Sequence, residues 1–359
     1  MKIITILLLC CFCFSVFSQH NSVNDKLVIA HRGASGYLPE HSMAAKAMAY
    51  AMGADYIEQD VVMSKDDQLL ILHDHYLDRV TNVAEVYPNK KRSDGRYYAI
   101  DFTLAEIQSL LMTEGFVVKN GKQEAIYPNR FPLWKSKFTV HTLADEIELI
   151  QGLNKSTGKQ VGIYPEIKSP AFHLQQGKDI SLAVLNELKR FGYDNLDDKI
   201  FVQSFDPTEL QRIKQHLMPK LNMELKLVQL IAMTSWQETL VYHNGTSTPY
   251  NYDWMLETNA MEKIATYANG IGPWKPMLIN TKLNQQKPKS NGLLEAAHQA
   301  GLVVHPYTFR ADINRIPKYA QDFDELLHIY YYDIGVDGIF TDFPDKAVQF
   351  LQKNKDKRH

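Results

Sequence analysis

The chain has 359 residues, 22% of them charged and 45% apolar, with a formal net charge of −2. This is ordinary globular composition with ample core material, and the length suits one large domain or two of common size. The near-neutral balance and the lack of a long basic run argue against a nucleic-acid partner. The basic stretch Lys353-Asn-Lys-Asp-Lys-Arg-His359 reads as a solvated helix end.

The N-terminus differs in kind from the rest. Lys2 precedes the apolar run Ile3–Phe17, which ends in Ser15-Val-Phe-Ser-Gln19. That pattern predicts a signal peptide, residues 1–18, cleaved after Ser18, and hence a periplasmic or secreted bacterial protein. The run is too short for a stable membrane span. Leu9 before Cys10 and Phe12 before Cys13 are too bulky for lipid attachment at those cysteines. All three cysteines (10, 11 and 13) fall inside this segment. The mature chain is therefore expected to lack disulfides, thiolate metal sites and cysteine nucleophiles.

From residue 26 onward, short apolar runs alternate with amphipathic stretches. Strands are predicted at Leu27–His31, Tyr56–Met63, Leu69–His73, Val161–Ile167, Ile200–Phe205, Leu225–Ile231, Leu302–Tyr307 and Gly338–Thr341, with a weaker one at Gly270–Gly272. Helix starts are marked by Thr103-Leu-Ala-Glu106, Thr142-Leu-Ala-Asp145 and Asp206-Pro-Thr-Glu209. The alternation predicts an α/β fold, a barrel in preference to an open sheet. Residues 84–137 interrupt it, with one clear helix near Thr103–Leu111, and read as an insertion or lid.

The chemistry starts at Ala30-His31-Arg32-Gly33, where an apolar strand ends in His and Arg. Strand ends of this kind form the mouth of an α/β barrel. The Arg32 fork matches a phosphate, and His31 can move protons near neutral pH. Glu58 and Asp60 are two apart in one strand, so they share a face. Two acids on the inner face of an apolar strand call for a cation, and oxygen ligands favour calcium or magnesium over zinc. If Asp66-Asp67 is a two-residue hairpin turn, Asp60 lies directly across from His73 and both point to one face. Glu166 and Lys168 share a face at the end of another strand and add a further oxygen ligand and a further cation. Trp274 and Tyr307 are candidates for lining the alcohol side of the pocket.

These segments resemble the glycerophosphodiester phosphodiesterase family, most closely its longer periplasmic bacterial members. The likeness rests on His31-Arg-Gly-Ala-Ser-Gly-Tyr-Leu-Pro-Glu-His41, Glu58-Gln-Asp60, Leu72-His-Asp74 with Leu77-Asp-Arg79, Glu166-Ile-Lys168, Gln203-Ser-Phe205, His305-Pro-Tyr-Thr308 and Thr341-Asp-Phe-Pro344. The resemblance implies a TIM (β/α)8 barrel over residues 26–359 with an inserted subdomain. It implies hydrolysis of small glycerophosphodiesters to sn-glycerol 3-phosphate and an alcohol, with one divalent cation, Ca2+ in preference to Mg2+. It makes His31 and His73 the acid/base pair, Glu58, Asp60 and Glu166 the metal ligands, and Arg32 and Lys168 the phosphate contacts. The alternative is a phospholipase D-like or lysophospholipid-cleaving member of the same superfamily. A binding protein that has lost catalysis would have replaced one of these residues, and none is replaced. The sequence leaves the oligomeric state open.

Overall fold

A computed structural model of the chain describes residues 26–243, 246–257, 259–280 and 288–355. The expected signal segment and its cysteines lie outside the described residues. The strands in chain order are β1 (Leu27–Ala30), β2 (Tyr56–Met63), β3 (Leu69–Ile71), β4 (Phe116–Lys119), β5 (Lys122–Ala125), β6 (Gly162–Ile167), β7 (Phe201–Ser204) and β8 (Lys226–Ile231). They continue with β9 (Leu240–His243), β10 (Thr246–Pro249), β11 (Gly270–Pro273), β12 (Ile279–Asn280), β13 (Lys289–Ser290), β14 (Val303–Val304) and β15 (Gly338–Thr341).

One sheet runs β14-β11-β8-β7-β6-β2-β1-β15, all parallel, with β3 added antiparallel to β2. Its two ends meet through the backbone. The Asp337 N–H donates to the Val304 carbonyl at 3.1 Å, and the Phe340 N–H donates to the Pro306 carbonyl at 3.1 Å. With helices between successive strands, the sheet closes into the barrel that the alternation predicts. Strands β2 and β15 have their predicted bounds, and every residue of both is buried. Strand β14 is shorter than the predicted Leu302–Tyr307. Pro306 has no N–H to give, so the ladder stops before it and resumes only as isolated bridges.

The barrel interior is layered. Ile29, Tyr56, Tyr164, Phe201, Val228 and Phe340 pack together as one apolar cluster. Strand side chains alternate, so the residue two further along each strand points the same way, one layer nearer the mouth. Those residues are His31, Glu58, Glu166, Gln203, Leu230 and Asp342. The first five line one cavity, and Asp342 lines the one beside it. A greasy floor under a polar layer thus follows from a period of two repeated around the barrel.

The helix starts behave as their sequences predict. Thr103 and Thr142 each make a reciprocal capping box, and the Asp206 carboxylate accepts from the N–H groups of Thr208 and Glu209. Within residues 84–137 the structure holds a short helix, Leu104–Gln108, and also the hairpin β4–β5, which the sequence reading does not anticipate. Its turn is Asn120-Gly121, with φ of +51° and +73°, the residue pair that a tight hairpin turn demands. Tyr97, Phe102, Ile107, Leu110 and Met112 pack with Val62, Leu70 and Leu72 in a second core, so this segment sits on the β2–β3 hairpin. Among the described residues, no helix is long and apolar enough to cross a membrane.

Candidate active site

The chain leaves β1 through His31, Arg32 and Gly33. Gly33 has φ +83°, and a Cβ there would lie 2.8 Å from the Ala45 carbonyl carbon, so only glycine lets the loop approach the following helix. Arg32 is also left-handed, at φ +59°, which costs roughly 1–2 kcal/mol for a residue with a side chain. Two hydrogen bonds hold it there. Its N–H donates to Glu58 Oε2 at 2.8 Å, and its carbonyl accepts from the His41 N–H at 2.9 Å.

The parallel register of β2 on β6 sets Asp60 beside Glu166. Glu58, Asp60 and Glu166 each offer an oxygen within 4.8 Å of the others, and all three side chains are buried. Gln203 Nε2 donates to Glu58 Oε1 at 3.2 Å, His41 Nε2 meets Asp60 Oδ2 at 2.7 Å, and Lys168 Nζ donates to Glu166 Oε1 at 2.8 Å. Asp60 Oδ1 is buried with no protein partner. Burial and neighbouring carboxylates push Glu58 and Glu166 above the usual carboxylate range, against the pull of His31 and Lys168. For Asp60 burial acts the same way, but Lys168, His41 and His73 outweigh it and hold it well below. Three convergent carboxylates with an orphaned oxygen are a donor set for a hard divalent cation. The residues fit such an ion.

His31 and His73 both face this cavity, of about 260 Å³, together with Arg32, Tyr307, Trp274 and the three carboxylates. His31 Nδ1 meets Asp342 Oδ1 at 2.6 Å, and His73 Nδ1 meets Asp74 Oδ1 at 2.6 Å. A carboxylate on Nδ1 fixes the ring and leaves Nε2 for chemistry. Burial, with Arg32 and Lys168 nearby, lowers the His73 pKa despite Asp74. Arg32 donates to Glu40 at 2.8 Å through Nη1, while its Nε is buried without a hydrogen-bond acceptor. Tyr307 is anchored by its hydroxyl on the Ile231 carbonyl at 2.8 Å. Lys168 reaches Glu166 from the adjoining cavity and does not line this one.

The predicted hairpin register needs correction. Val61 pairs with Ile71 and Met63 with Leu69, so Asp60 lies across from Leu72, not His73. The turn has three residues, Lys65–Asp67. The Ser64 N–H donates to the Gln68 carbonyl at 2.9 Å, and Asp67 takes φ +62°. His73 still reaches the cavity because β3 ends at Ile71 and the chain bends before it. Other partners were missed. His41 on Asp60, Asp342 on His31 and Asp74 on His73 all stand inside segments that carry the family likeness. A search for carboxylates within reach of each histidine finds Asp74 in sequence, but nothing local points from His31 to Asp342. Buried Lys46 was missed as well; it donates to the Glu58 carbonyl and to Glu146 and so braces β2.

Residues 31–346 match the model of the glycerophosphoryl diester phosphodiesterase family. The chain is 52% identical over 333 residues to a glycerophosphodiester phosphodiesterase of Haemophilus influenzae, covering 92% of this chain and 90% of the relative. It is 43% identical to one from Treponema pallidum, over 92% and 93% of the two chains. Its fold is similar to that of a phosphodiesterase from Silicibacter pomeroyi, with a TM-score of 0.63 and 20% identity over 92% and 94% of the chains. It is also similar to an Oleispira antarctica phosphodiesterase in complex with the product sn-glycerol-3-phosphate, with a TM-score of 0.58 and 21% identity over 91% and 96%. The chain is a phosphodiesterase, and it belongs to the glycerophosphoryl diester phosphodiesterase family.

Proposed function

We propose that the enzyme hydrolyses small glycerophosphodiesters, such as glycerophosphocholine and glycerophosphoethanolamine, to sn-glycerol 3-phosphate and an alcohol, in a metal-dependent reaction. The observation that carries this reading is one cavity in which His31 and His73 flank Glu58, Asp60 and Glu166 beside Arg32. The product named for the Oleispira antarctica relative supports the same substrate class.

A phosphodiester gains negative charge on its non-bridging oxygens as the bond to the alcohol breaks. Arg32 Nε, which has no hydrogen-bond acceptor and lies 3.6 Å from Asp60 Oδ2, offers its N–H to that charge, and Lys168 adds a fixed cation from the side of Glu166. Without a metal the three convergent carboxylates repel one another and the substrate anion, which is the physical argument for metal dependence. A divalent ion on Glu58, Asp60 and Glu166 would supply Lewis acidity and neutralise that excess. Of His31 and His73, one takes the proton of the attacking hydroxyl and the other gives a proton to the leaving oxygen. Asp342 and Asp74 hold the two imidazoles in the tautomer that does this. All-oxygen ligation favours Ca2+ or Mg2+, with Ca2+ preferred. We also propose export through the N-terminal segment to the periplasm or medium.

The test is release of sn-glycerol 3-phosphate from glycerophosphocholine before and after chelation. Activity should fall by at least about 10²-fold and return with Ca2+, less fully with Mg2+. Full activity after exhaustive chelation would overturn the metal-dependent reading.

A further inference from the structure

A second cavity, of about 390 Å³, adjoins the first and shares His73, Trp236 and Glu238 with it. One wall is a stack of rings. His75 lies 4.4 Å from Phe172 between ring centres, Tyr98 lies 5.4 Å from Phe172, and Tyr76 meets Tyr98 edge-on at 4.7 Å. Burial and His173 push His75 down to about 3, so near neutral pH its ring is uncharged. Arg96 and Arg92 already pack over the rings of Tyr76 and Tyr98, at 4.0 and 4.1 Å from the ring centres.

The opposite wall comes from the loop leading into β9. Trp236 is 41% exposed although it lines both cavities, and its ring meets Trp274 edge-on at 5.0 Å. Glu238 stands at the junction. The other carboxylates of this cavity are spoken for: Asp74 is bound by His73 and Arg79, and Asp206 caps a helix. Glu238 has no hydrogen-bond partner among the described residues. Lys168, a cation that lines the same cavity and is influenced by Glu238, is itself bound to Glu166. Gln237, between Trp236 and Glu238, holds φ +59°, a conformation a side-chain-bearing residue keeps only where its surroundings impose it.

A diester seated at Arg32 and the carboxylates can send one alcohol arm past His73, where this cavity opens. We propose that it is the subsite for the leaving alcohol, where the faces of Trp236 and its neighbouring rings and the charge of Glu238 select alcohols bearing an ammonium group. This rests on the hydrolysis proposed above. Ring faces and a carboxylate attract an ammonium of any substitution, whereas a neutral group of the same shape gains only the contact area.

The experiment compares kcat/KM for glycerophosphocholine with that for its uncharged isostere, in which carbon replaces the ammonium nitrogen. The wild-type enzyme should favour the charged diester by about tenfold, and E238Q and W236L should each lower that ratio by roughly 3–10-fold. Thermal melts of both variants report whether they are folded. A ratio near one in the wild type, or one that neither variant moves, overturns the subsite. Failure of the wild type to cleave either diester overturns instead the hydrolytic reading beneath it.

Discussion

His31 and His73 face one cavity with the same carboxylate geometry at Nδ1, yet they are held in different ways. The His31–Asp342 pair joins residues 311 positions apart, and its side chains are 9% and 2% exposed. The second oxygen of Asp342 accepts from Arg130 Nη2 at 2.7 Å and from Arg310 Nε at 2.8 Å. The His73–Asp74 pair joins neighbours in sequence, with side chains 25% and 26% exposed, and is braced by Arg79 at 2.9 Å. His73 also lines three adjoining cavities, whereas His31 lines two. The same dyad chemistry is thus built once as a buried keystone and once as an open corner. The keystone is closed in on both sides, and the corner opens onto the second cavity.

The largest expected effect tests the symmetry of the chemistry. His31→Ala and His73→Ala should each lower kcat by roughly 10²–10⁴-fold, read as release of sn-glycerol 3-phosphate. If either variant keeps more than about a tenth of the rate, proton transfer does not involve both rings. The next effect separates the two by stability. Asp342→Asn takes a counter-charge from buried Arg130 and from partly exposed Arg310, and should cost about 3–5 kcal/mol in urea unfolding. Asp74→Asn, partly solvated, should cost no more than about 1 kcal/mol. Equal losses would erase the contrast between keystone and corner.

The smallest effect uses a histidine without a carboxylate. His305 is buried against the Tyr164 hydroxyl, 3.0 Å from its Nδ1, and burial lowers its pKa from 6.5 to about 4. Above pH 6.5 the ring is neutral whether the chain is folded or not, and contributes no pH dependence. As pH falls from there toward 4, the unfolded chain takes up the proton first and stability drops, by at most about 3 kcal/mol. His305→Gln should flatten that slope in melts recorded across this range. An unchanged slope would assign it to other groups.

Much of the barrel was legible because its strands are buried on both faces. The apolar ends of β2 and the Gly-Ile-Phe-Thr run of β15 located both strands to the residue, and a period of two put Glu58 and Asp60 on one side of β2. Boundaries set by tertiary context were not legible, as at Pro306 and at the bend before His73. The β2–β3 register was wrong by one residue because a three-residue turn with a left-handed Asp67 looks, in sequence, like a two-residue turn. The hairpin β4–β5 carried a readable sign in Asn120-Gly121. The strands themselves are largely exposed and show no apolar–polar alternation. Asp74 lay beside its histidine in sequence. Asp342 needed the closed barrel to be seen at all.

Arg130 lies within the stretch that interrupts the barrel, yet its guanidinium binds both Asp342 and Asp312 and donates to the Ser35 carbonyl at 3.2 Å. Residues 84–137 are therefore not a detachable module. A chimera that trims them to the length of a plain β-to-α connection would keep every barrel strand and still lose a support of the His31–Asp342 pair. Activity, in such a series of chimeras, becomes a reporter of whether the insert has docked.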